Sequence, residues 1–98
     1  MPHFEQDGIT FDLPETLTMR QMLRYDSAVE GKTGEAMYER LWAGACTVVE
    51  NFNGPVKPEP ETLDRPMDSV VLAAIKWVCL AVFSWSLKIK AEAVSKNS

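Results

Sequence analysis

The chain has 98 residues, enough for one domain with one modest core and too few for a second. Apolar residues make up 46% and charged residues 24%, a globular balance that excludes a chain disordered by composition. The net charge of -4, with no basic stripe, excludes a nucleic-acid footprint, which needs clustered Lys and Arg.

Met1 to Gly8 carries no charged segment followed by an apolar stretch, so no secretory signal is expected and the protein is expected to stay where it is made. Residues 2–13 read as a hairpin, because Asp7-Gly8 is a two-residue turn that tolerates positive φ at both positions. That turn sets Gln6 opposite Ile9, Phe4 opposite Phe11 and Pro2 opposite Leu13. Phe4, Ile9, Phe11 and Leu13 then share one side, with His3, Glu5, Thr10 and Asp12 on the other. A two-stranded ribbon alone is marginal in water, so the apolar side must lie on a helix or on another copy's sheet.

Thr18 and Gln21 form a capping box, and Leu17 and Met22 a hydrophobic staple, so the first helix starts at Met19 and runs to about residue 30, where Gly31 ends it. Beyond the turn at Gly31 to Gly34, Met37, Tyr38, Leu41, Trp42, Ala45, Val48, Val49 and Phe52 recur at three- and four-residue spacing and predict a helix over 34–52. Four prolines between Pro55 and Pro66 then predict an extended, exposed connector over about 53–65. A third helix, capped by Asp64 or Asp68, is expected over about 66–90. From Val70 to Leu87 it carries a single charge, Lys76, and apolar residues cover most of its wheel. Such a helix must be buried on nearly all sides, more than this small chain can cover, so another chain is expected to cover the remainder. The expected fold is α+β: a single domain, 1–98, with an N-terminal β-hairpin followed by three helices, mainly helical. The second and third helices pack antiparallel, and the apolar side of the hairpin closes one end.

Catalytic constellations are missing parts. Gly31-Lys32-Thr33 resembles the end of a phosphate-binding loop, but the required earlier glycine is Asp26 and a helix, not a strand, precedes it. His3 is the lone histidine, on the exposed side of the ribbon, and reads as solvated. Cys46 and Cys79 have no histidine or CxxC partner and read as buried free thiols in a reducing compartment. Glu59, Glu61, Asp64 and Asp68 lie among prolines without calcium-loop spacing and read as a solvated linker. No enzyme activity, metal or cofactor is expected. Trp42, within a clean amphipathic stripe, reads as core. Trp77 and Trp85, about 80° apart on a helical wheel, read with Val78, Ala81 and Val82 as one interaction surface. Val82→Glu or Trp85→Glu is accordingly expected to reduce association while leaving helix content intact.

The segment GITFDLPETLTMRQ, followed by YERLWAGACTVVENF, resembles the small tail assembly chaperones of long-tailed bacteriophages. The likeness covers about residues 4–52 and then, loosely, the connector, the last apolar helix and its polar tail. It implies a protein of the host cytoplasm that self-associates as a homo-oligomer and coats the tape measure protein until tail tube subunits replace it. A frameshifted longer form of such proteins can recruit the tube protein. No functional residue carries over individually. Two other readings stand beside it. One is a small phage-encoded inhibitor or regulator of a host protein. The other is a single-span membrane protein, disfavoured because Lys76 at mid-span costs roughly 2.5 to 3.5 kcal/mol to insert.

Overall fold

Asp7 and Gly8 adopt φ of 49° and 84°, the two positive values that a tight hairpin turn requires. In the computed structural model, which describes residues 2–97, they join β1 (His3–Gln6) to β2 (Ile9–Asp12). Gln6 pairs with Ile9 and Phe4 with Phe11, and Leu13 N–H donates to the Pro2 carbonyl at 3.0 Å, which is the expected register. Ile9, Phe11 and Leu13 are fully enclosed, with Phe4 half-buried beside them.

Helix α1 (Met19–Glu30) starts on the capping box: Thr18 Oγ1 accepts from Gln21 N–H, and Gln21 Oε1 accepts from Thr18 N–H. It ends at Gly31, whose φ of 68° and ψ of -159° belong to a region essentially restricted to glycine. A side chain there would also meet the Arg40 stem, 2.6 Å from its Cγ.

The second helix is shorter than expected. α2 covers Met37–Val48, and Glu50–Asn53 forms a strand, β3, rather than the last helical turn. β3 pairs antiparallel with β2, so the hairpin becomes a three-stranded sheet of order β1-β2-β3. Thr10 faces Asn53 while Asp12 faces Glu50, leaving one extra residue on β3. Asn51 takes up the bulge at φ 52°. Val49 and Phe52 fit the helical stripe of α2, and the ladder offered by β2 draws the chain out of the helix after Val48.

The connector is also more ordered than expected. Pro60–Asp64 forms a 3-10 turn, Val56 and Thr62 are buried, and Trp42 Nε1 donates to the Glu59 carbonyl at 2.8 Å. Thr62 Oγ1 donates to the Lys57 carbonyl at 2.6 Å, which closes the loop on itself. Prolines remove backbone donors, and side chains from outside the ladder supply the bonds instead.

Helix α3 (Ser69–Asn97) starts on Asp68, whose Oδ1 accepts from the N–H groups of Val70 and Val71, and it runs beyond the expected end at residue 90. Ala91, Glu92 and Ala93 are good helix formers, which is the local reason. Its 29 residues span about 43 Å at 1.5 Å per residue, close to the longest dimension of the molecule, 47 Å. The architecture is α+β and mainly helical, a three-stranded antiparallel sheet with three helices.

The core lies between the sheet, α2 and α3. Phe11 is its hub, stacked on Phe4 at 5.0 Å and on Phe52 at 6.1 Å, and met edge-on by Trp77 of α3 at 5.6 Å. Phe52 in turn meets Trp42 of α2 edge-on at 6.4 Å. Aromatic pairs in these geometries add roughly 0.5 to 1.5 kcal/mol each beyond their buried area. Gly44 lets α1 and α2 approach closely, since a Cβ there would run into Val29 Cγ2.

Candidate functional site

The residues of α3 divide into two arcs. Ala74, Ile75, Val78, Cys79, Val82, Trp85 and Ser86 are buried and belong to the core. Leu72, Leu80, Phe83, Leu87 and Val94 are exposed, although each is a large apolar side chain. A helix turns 100° per residue, so these five fall within about 80° of one another, with Lys76 among them.

The sequence-based choice of interaction surface requires correction at Val78, Val82 and Trp85. Val78 and Val82 are 0% exposed and Trp85 is 6% exposed, with its Nε1 donating to the Pro14 carbonyl at 3.0 Å. Trp77 and Ala81 are half-buried against the core, Trp77 on the Phe11 ring. Trp77 and Trp85 hold α3 to the sheet and to the loop after β2, and Val78, Val82 and Trp85 offer no open surface. Val82→Glu and Trp85→Glu therefore strike the fold itself.

The outer arc continues into a cavity of about 280 Å³ that opens between the three helices. It is lined by Val29 of α1, Met37, Arg40 and Leu41 of α2, and Leu80 and Phe83 of α3. Leu80 is 47% exposed, Phe83 37% and Met37 51%, so the apolar surface is continuous from the cavity onto the outer arc. Arg40 is half-buried, and its Nε is enclosed without a hydrogen-bond acceptor. No described carboxylate forms an ion pair with it. Lys76 Nζ lies 5.3 Å from the centroid of the Tyr38 ring, within cation–π range. Farther along α3, Lys90 bonds Asp26 of α1 at 2.8 Å.

The remaining chemistry-bearing groups lie apart from this surface. His3 Nδ1 and Asn51 Nδ2 both bond the Asp12 carboxylate, at 2.6 and 2.9 Å, so a polar ladder crosses all three strands on the outer face of the sheet. These two bonds hold the Asp12 carboxyl below its ordinary pKa, the bond from His3 contributing most. Burial pushes the Cys46 and Cys79 thiols up to about 12. Both cysteines are free. Burial also raises the Tyr25 phenol. Gly31 to Gly34 is the turn between α1 and α2, and Glu59, Glu61 and Asp64 lie on or beside the 3-10 turn. Among the described residues no three His, Cys, Asp or Glu side chains group to hold a metal ion.

Comparison with protein-family models, with curated proteins and with solved structures finds no match to this chain.

Of the missed residues, Leu72, Leu80 and Phe83 had a usable signal in the sequence, whereas Leu87, Met37 and Arg40 had none. Lys76 is the single charge between Val70 and Leu87, and a lone lysine in a buried helix must face water. Its neighbours on the same face, at minus four, plus four and plus seven, are Leu72, Leu80 and Phe83.

Proposed function

We propose that the protein is a tail assembly chaperone of a long-tailed bacteriophage, acting in the host cytoplasm by binding protein chains and performing no catalysis. It self-associates and covers the tape measure protein until tail tube subunits take its place. The observation that supports this reading is the outer arc of α3, an apolar strip on a long helix that the fold leaves uncovered. Contiguous exposed apolar surface on a folded domain marks an interaction site, and a helical client with an apolar face is its natural complement.

Within α3, Ser69–Val94 is also long and apolar enough to cross a bilayer by length and composition. Insertion would withdraw Val78, Cys79, Val82 and Trp85 from the core and strip the sheet of its cover. Binding to protein avoids that loss. The reading is tested by co-expression with the tape measure protein of the same phage. Many copies co-purifying with one soluble client are expected. A client that precipitates regardless, while this chain stays monomeric and captures one host protein, replaces it with the inhibitor reading.

A further inference from the structure

The outer arc of α3 repeats at seven residues: Ala73, Leu80, Leu87 and Val94 follow one another at that interval. Three residues after the first three come Lys76, Phe83 and Lys90. This is the spacing of a coiled-coil seam, with one row apolar and the other carrying two lysines. A second copy laid on the same seam in parallel would set Lys76 against Lys76 and Lys90 against Lys90. Laid antiparallel, it would set lysines against leucines. Neither arrangement gives Lys76 a carboxylate.

Two of the seam positions are cations, Lys76 and Lys90, and Lys90 already bonds Asp26 of α1. Arg40 adds a guanidinium at the wall of the adjoining cavity, with its enclosed Nε–H lacking an acceptor. A buried donor without an acceptor is costly, and a carboxylate answers a guanidinium best. We infer that this seam and cavity take an acidic amphipathic helix of a partner chain, whose apolar stripe lies on Leu80, Phe83 and Leu87 and whose flanking carboxylates meet Arg40 and Lys76. A flat lipid surface suits the apolar strip but does not follow the cavity between the three helices, where Arg40 lies. The inference rests on the reading of the protein as a binder of helical clients and specifies the charge of the client face.

The test uses the full chain and two synthetic peptides of four heptads, both with Leu at the seam positions, one flanked by Glu and the other by Lys. Fluorescence anisotropy is expected to show the Glu peptide binding at least about tenfold tighter than its Lys twin, an advantage that shrinks as salt is raised. Arg40→Gln keeps the Cγ and Cδ that pack at Gly31, so the fold is retained while the advantage falls. The double variant Arg40→Glu with Lys76→Glu is expected to reverse it, with unchanged circular dichroism as the check on folding. Equal binding of the two peptides overturns the inference, as does binding of neither, or association with phosphatidylserine vesicles alone. Failure to retain the tape measure protein counts against the chaperone reading, whereas the ranking of the peptides decides this one.

Discussion

The two arcs of α3 have nearly the same hydropathy and opposite fates. The inner arc carries polar handles that the fold uses: Trp85 Nε1 donates to Pro14, Cys79 Sγ donates to the Tyr38 carbonyl at 3.8 Å, and Ser86 Oγ donates to Phe83 at 2.7 Å. The outer arc offers carbon and ammonium only. Apolar content therefore says that a helix wants cover, while the placement of polar groups says which side the chain itself can cover. A buried donor needs a partner in the same molecule, and an exposed lysine needs none.

Paired substitutions give the largest test of that contrast. Val82→Glu places an unpaired charge where exposure is 0%, and is expected to cost about 4 kcal/mol or more and to unfold the domain. Leu87→Glu, on the outer arc at 51% exposure, is expected to stay within about 0.5 kcal/mol of the parent while client binding falls. Denaturant melts followed by circular dichroism decide it. Equal losses at the two positions would erase the distinction between the arcs.

The thiols sharpen the same contrast from inside. Cys79 lies on the inner arc and Cys46 on α2, and burial raises both to about 12. A raised thiol pKa means that the folded state holds the proton more tightly. Stability should therefore decline as pH rises above the ordinary thiol value of about 8.5. Neither thiol should be labelled by Ellman's reagent in the native protein at about pH 8, and both should be labelled in denaturant. Prompt native labelling of Cys79 would mean that the inner arc opens.

The smallest expected effect lies on the outer face of the sheet. The Asp12 carboxyl, held below its ordinary value by His3 and Asn51, contributes stability above the unfolded carboxylate pKa and loses it as pH falls through the folded one. Asp12→Asn should therefore flatten the decline in melting temperature between about pH 5 and pH 3. A decline as steep as that of the parent would show that the ladder from His3 to Asn51 adds nothing.

What could be read from the sequence was set locally. The Asp7-Gly8 turn and a period of two fixed the hairpin pairing residue by residue, and Thr18 with Gln21 fixed the start of α1. β3 was not legible, because its hydrogen bonds come from β2, roughly forty residues earlier in the chain. The bonds that Trp42 and Thr62 make to the connector are likewise invisible to local pattern. On α3 the need for cover was legible, and its direction was marked only by the lone charge at Lys76. A wheel otherwise apolar nearly all round has no preferred side until the sheet chooses one.

The bulge at Asn51 bears on how the edges of the sheet are protected. A three-stranded sheet has two open rims, and an unpaired rim is a template on which further strands can grow into fibrils. On the β3 rim, Asn51 at positive φ interrupts the flat run that an incoming strand would need, and β1 is only four residues long with Glu5 exposed on it. The sheet edges are thereby poor templates for cross-β polymerisation, whereas the outer strip of α3 lies on a helix whose own backbone groups are already paired.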